Sequence, residues 1–281
     1  MLTPPPWLNV SSQVTSHRPE LYLAGSRTAG ARMPFDVIDL GGAQCMAMVP
    51  PSVRRVVEAW HAAGSPSQAG IAWPRQRWID GFSAEAAAFT MLPERLTRQA
   101  VRDACGCAAE SPAEARRAFL VVMAWGYGRV GYGPFRVRRL LDSAADAGTE
   151  LQAAACALRE ATPVEAYARL GDHGVARLAR LGPAFGTKFL YFCSPPGDRP
   201  ALILDRLMAR WLRDNAGLAL NEIRWSVPTY RRYLASMYGW ARELAVTADE
   251  LEMCIFSEQA GLAGSQWGYR IRTTAAEGPP A

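Results

Sequence analysis

The chain has 281 residues, 49% apolar and 20% charged, with a net charge of +5 and a pI near 9.0. Such a chain can bury a sizeable core, which excludes a disordered or low-complexity protein. No stretch reaches the roughly 18 apolar residues of a membrane span, no secretion signal is recognisable, and the modest basic excess suits a polyanionic partner such as DNA.

Residues 1–50 are rich in Pro, Gly and Ser and read as an irregular arm, with a short strand near 20–23 or 36–40. Residues 51–110 read as an N-terminal helical region. Ser52 is expected to cap a helix through Val53, Val56, Val57 and Trp60, which Gly64-Ser65-Pro66-Ser67 ends. Trp73–Trp78 reads as a loop that, with Arg75 and Arg77, is a candidate for base stacking or strand contact. Ser83 is expected to cap a helix from Ala84 to Leu92, and Pro93–Cys105 reads as helical again.

From residue 111 to 256 the pattern is that of a helical core. Ser111-Pro112-Ala113-Glu114 sets Ser at the N-cap, Pro at N1 and Glu at N3, a capping box. The helix it opens is expected to reach about Trp125. A Gly/aromatic loop follows to Pro134, then a basic helix from Phe135 to Ala147, and helices over 149–160, 163–170 and 173–181. Val175–Cys193 reads as helix, short Gly/Pro hairpin, helix. Asp205 is expected to open a further helix, followed by helices over Thr229–Leu244 and Ala248–Phe256, and a C-terminal tail over 257–281 that is loose from Gly261 onward. The fold class is mostly α, a helical bundle with an irregular N-terminal segment. The helix aromatics Trp211, Tyr230, Tyr233, Tyr238 and Trp240 read as core.

The cysteines at 45, 105, 107, 156, 193 and 254 are mostly far apart. Cys105-Gly106-Cys107 has no histidine near it and lacks the four clustered ligands of a zinc or iron–sulfur site, so neither a metal nor another cofactor is expected. All six read as reduced cytoplasmic thiols. His17, His61 and His173 form no recognisable nucleophile motif.

Lys188 is the single lysine; the other 30 of the 31 basic residues are Arg. Arginine replaces lysine as a surface charge but not as an amine nucleophile. The residues before it, Leu181-Gly182-Pro183-Ala184-Phe185-Gly186-Thr187, form the hairpin, whose N–H groups and helix N-terminus could face a phosphate. Asp205 follows 17 residues after Lys188.

This hairpin, lysine and aspartate resemble those of the helix–hairpin–helix DNA glycosylases, in particular the 8-oxoguanine glycosylase branch. Ala184 stands where the family has its first hairpin glycine, Gly182 replaces the leading Leu, and the Lys–Asp spacing is slightly shorter. The resemblance implies that Lys188 is the nucleophile and Asp205 its acidic partner, and that Gly182, Phe185, Gly186 and Thr187 meet the DNA backbone. It further implies that Tyr127, Arg129 and Tyr132 enter a duplex from which the base is expelled. Arg136, Arg138 and Arg139 are candidates for phosphate contacts. Chemically, a carboxylate stabilises the positive charge that develops on the sugar, and a neutral amine can attack C1′ to form a Schiff base. Phe185, Phe189, Leu190 and Tyr191 offer the apolar setting that favours a neutral amine.

The implied function is excision of a modified base from double-stranded DNA by a monomer, with AP-lyase capacity through Lys188. Two substrates stand: 8-oxoguanine, or a hypermodified cytosine of phage DNA. Residues 1–110 lack the alternating strands of the β-rich domain usual in the 8-oxoguanine branch. The Trp125–Arg129 loop and the Gly186–Phe192 run resemble a bacterial branch that excises modified bases in antiviral defence. The competing classes are a non-catalytic helix–hairpin–helix DNA-binding module and a helical protein–protein module.

Overall fold

A computed structural model describes residues 48–261. The short strand expected in the arm, near 20–23 or 36–40, and the tail from residue 262 lie outside the described residues. Helix α1 (Pro51–Ala62) begins before Ser52: Pro50 is its N-cap and Pro51 takes N1, where a missing N–H costs nothing. The Ser52 hydroxyl instead donates to Asn215 O at 2.5 Å.

The stretch expected as a loop is helical from Arg75, in α2 (Arg75–Gly81). Trp73 and Trp78 are buried in an aromatic cluster with Phe82 and Phe89, which removes them from DNA contact. Arg75 is likewise spent inside, donating to Leu92 O at 2.5 Å. The single helix expected from Ala84 is a 3-10 turn, Ser83–Glu85, followed by α3 (Ala86–Thr90), and Ser83 makes no cap. Strand β1 (Ile71–Ala72) pairs antiparallel with β2 (Arg95–Leu96), Ile71 opposite Leu96. The next helix, α4 (Arg98–Cys105), therefore starts later than expected, after Thr97, whose Oγ1 accepts the Ala100 N–H.

Ser111 caps α5 (Pro112–Tyr127) by accepting the Glu114 N–H, but the Glu114 carboxylate turns to Arg117, so only half of the capping box forms. The basic helix is α6 (Gly133–Leu141) and stops short of Ala147; Asp146 instead caps α7 (Ala147–Glu160). Thr162 and Glu165 make a complete capping box for α8 (Pro163–Leu170).

Residues 173–181, expected as a helix, are a β-hairpin and a turn. Strand β3 (Gly171–Asp172) pairs antiparallel with β4 (Val175–Ala176). Gly174, at φ +81, closes the turn, and its N–H donates to Trp225 O at 2.8 Å. The helices on either side of this segment are thus α8 and α9 (Pro183–Cys193). Helices α10 (Arg206–Ala216), α11 (Val227–Glu243) and α12 (Ala248–Gln259) follow.

Helix α9 is buried on nearly every side, the mark of a central helix. It packs against α4, α5, α7 and α8. Phe119 meets Phe189 edge-on at 5.8 Å, and Trp125 meets Phe192 at 4.9 Å. Regions 51–110 and 111–256 share this core, α4 packing on α5 and α9 and α1 on α10 and α12. A buried polar cluster ties them: Arg98 donates to Glu252 at 2.6 Å, to Tyr191 at 2.8 Å and to Asp249 at 3.2 Å. Burial pushes the Glu252 carboxyl up despite that partner.

Candidate active site

The site is built on a buried extended segment, Ala201–Leu204, which lies in neither helix nor sheet. Its backbone groups must find partners elsewhere. Tyr230 OH donates to Leu202 O and accepts the Leu202 N–H, and Tyr233 OH donates to Ile203 O. Ser194 Oγ accepts the Ala201 N–H, and Tyr238 OH donates to Pro200 O. The α11 tyrosines are therefore core residues whose hydroxyls stand in for a missing strand neighbour.

At the end of this segment the Leu204 N–H donates to Thr187 Oγ1 at 3.1 Å. That bond joins the residue before Lys188 to the residue before Asp205. Lys188 Nζ then donates to Asp205 Oδ2 at 2.8 Å, with side chains 12% and 15% exposed. The other carboxylate oxygen, Oδ1, accepts the N–H groups of Leu207 and Met208 and caps α10. Capping and pairing use different oxygens, so one residue does both. Burial pushes the Asp205 carboxyl up, but the Lys188 ammonium and the two helix N–H groups outweigh it and hold it below its ordinary value. Asp205 is therefore a carboxylate at neutral pH.

Lys188 lies against an aromatic face. Its Nζ is 5.9 Å from the centroid of Phe185, whose ring stacks on Tyr127 at 4.7 Å and 24°. Tyr127 meets Tyr132 edge-on at 6.1 Å. Gly126 makes this approach possible: a Cβ there would stand 2.9 Å from the Phe185 ring and 3.4 Å from Lys188 Cδ.

The sequence candidates divide into three groups. Arg129, Tyr132, Arg136, Arg138 and Arg139 are exposed on and beside α6. Arg136 lies over the Tyr132 ring and Arg139 over Phe135, itself 63% exposed. Tyr127 and Phe185 are half-buried beside Lys188, and burial raises the Tyr127 hydroxyl pKa. Thr187 and Gly186 face inward. The Thr187 hydroxyl is spent on Leu204, and Gly186 packs against Trp225, where a Cβ would meet the indole at 2.4 Å. The Phe185 and Gly186 N–H groups both turn back to Gly182 O. At the N-terminus of α9 this leaves the Gly182 and Ala184 N–H groups without a backbone partner among the described residues.

Two residues gain weight from the structure. Arg180, exposed at φ +70, donates to Arg139 O at 3.1 Å and ties α6 to the start of α9. Arg77 reaches the Tyr127–Tyr132 loop, where a Cβ on Gly131 would fall 2.0 Å from its Nη1. Arg77 belongs to the Trp73–Trp78 stretch already singled out in the sequence, whereas Arg180, one arginine among 30, carries no sequence signal of its placement. Trp225, in the loop leading into α11, supports the hairpin from beneath, its Nε1 donating to Leu181 O at 2.9 Å.

A family model described as "Putative 8-oxoguanine DNA glycosylase OGG-like protein" matches residues 64–256, more than half of the chain. No curated protein and no solved structure matches it. No described helix is long and apolar enough to cross a membrane.

Proposed function

Because the chain belongs to the OGG-like 8-oxoguanine DNA glycosylase family, we propose that it cleaves the N-glycosidic bond of a modified base in double-stranded DNA. The observation that carries this reading is the Lys188–Asp205 pair, at 2.8 Å in a largely sheltered site. In this reading Asp205, ionised at neutral pH, stabilises positive charge developing at C1′. Its lowered pKa makes it a poor proton acceptor and a good electrostatic partner. The Lys188 ammonium gives up a proton to solvent, and the resulting amine forms a bond to C1′. The electron pair of the breaking C1′–N bond leaves with the base, which is then protonated. Opening of the sugar gives a Schiff base and, with it, AP-lyase capacity.

The duplex lies, in this reading, along Arg129, Tyr132, Arg136, Arg139 and Arg180, with a phosphate at the Gly182 and Ala184 N–H groups. The same geometry speaks against a purely DNA-gripping module. An ammonium already held by a carboxylate at 2.8 Å has its charge compensated and is a poor phosphate clamp.

The experiment is single-turnover release of free base from duplexes carrying 8-oxoguanine or a glucosylated hydroxymethylcytosine. Wild type is expected to release one of them, and Asp205→Asn to lose most of that rate with DNA affinity kept. Release of the modified cytosine would identify that base as the substrate and support the antiviral-defence reading. Tight DNA binding with no base released from either duplex would replace this reading with the binding module.

A further inference from the structure

The three rings of Phe185, Tyr127 and Tyr132 form a continuous series that starts at the surface, where Tyr132 is 56% exposed, and ends beside Lys188. Within α9 Phe185 stands apart from Phe189 and Phe192, which are buried against α5. Phe185 keeps exposed surface, and so does Tyr127. Gly126 is what lets this ring and the lysine stem approach α5 together. A pair of aromatic rings left open beside a nucleophile is not accounted for by packing alone.

Resting on the glycosylase reading, we propose that the Phe185–Tyr127 stack is the surface on which the extruded nucleobase lies, and that Phe185 is a substrate-specificity residue. The argument is one of reach. To attack, Lys188 Nζ must come within bonding distance of C1′, and the base is joined to that same carbon. A ring whose centroid is 5.9 Å from Nζ therefore falls at stacking distance from the reacting nucleotide. Aromatic faces hold extruded and single-stranded bases in this way. Tyr132 and Arg136, further out on the same series, lie where the nucleotide enters. The stack acts on the base and not on the sugar or the phosphates, so it separates base-bearing from base-free DNA.

The test compares Phe185→Leu and Phe185→Tyr with wild type in two assays. One is single-turnover base release from whichever modified duplex the wild type processes. The other is the Kd for the same duplex carrying a tetrahydrofuran abasic analogue, which has no base to stack. Phe185→Leu is expected to slow base release on the order of tenfold or more and to leave the abasic Kd within about twofold, and Phe185→Tyr, which keeps the π face, to stay close to wild type in both. Equal losses in the two assays would make Phe185 a hairpin or duplex-gripping residue and overturn the proposal. So would a Phe185→Leu variant as fast as wild type, or a Phe185→Tyr variant as slow as Phe185→Leu. A wild type that releases no base from either modified duplex overturns the glycosylase reading, and the stack with it.

Discussion

Thr187 Oγ1 accepts the Leu204 N–H at 3.1 Å and lies 3.3 Å from Leu204 O, so that one side chain links the residues that immediately precede Lys188 and Asp205. Helix α9 and the extended segment meet at that point, and the 2.8 Å ion pair lies one residue beyond it. Thr187→Val keeps the shape and leaves the buried Leu204 N–H without a partner. The expected cost is about 1–3 kcal/mol of stability, measured by denaturant unfolding. Base release should fall further than the stability loss explains, while abasic-DNA affinity is kept.

Glu252 is 1% exposed, and its principal cation is Arg98 at 2.6 Å. Removing one partner of a buried pair strands the other charge. Arg98→Met is expected to destabilise the chain by about 3–5 kcal/mol. The double variant Arg98→Met/Glu252→Gln should recover part of that loss. Equal stability of the two variants would show that the charge on Glu252 is not what the arginine compensates.

The Asp205 carboxyl is held below its ordinary value, which is about 3.9 in an unfolded chain. A depressed acid stabilises the fold above its unfolded pKa, and that contribution is lost as pH falls through the folded value. Asn also caps helices well, so Asp205→Asn removes the charge and keeps the cap. The Tm difference between wild type and this variant should be constant from about pH 7 to pH 5 and shrink below about pH 4. A difference that shrinks between pH 7 and pH 5 would mean a raised, not a depressed, carboxyl.

The basic face can be tested by salt. Arg136→Ala and Arg139→Ala should each weaken binding to modified and unmodified duplexes alike and reduce the salt slope by about one. Loss of discrimination without a change in salt slope would argue against phosphate contact at these positions.

The pairing of Lys188 with Asp205 was more legible in the sequence than the path of the backbone. A single lysine followed by an aspartate at a helix start marks itself, because Arg cannot serve as an amine and Asp is a strong N-cap. Proline and tertiary contacts caused the misreadings. Pro74 suggests a break but precedes the first turn of α2, which buries Trp78. Residues 173–181 are rich in Ala, Arg and Leu, yet the Gly174–Trp225 hydrogen bond and the strand pairing hold them as a hairpin. The hairpin motif likewise gave no sign of which side of α9 each residue would face. Thr187 and Gly186 turn inward to Leu204 and Trp225, and Phe185 turns toward Lys188.

The most direct test of the central claim is borohydride trapping on a duplex with an abasic site, followed by peptide mapping of the adduct. With one lysine in the chain, an adduct can form only at Lys188 or at the N-terminal amine. The account predicts an adduct on the peptide containing Lys188, absent in Lys188→Gln and in Lys188→Arg. An adduct confined to the N-terminal amine, or one that survives Lys188→Gln, would contradict it.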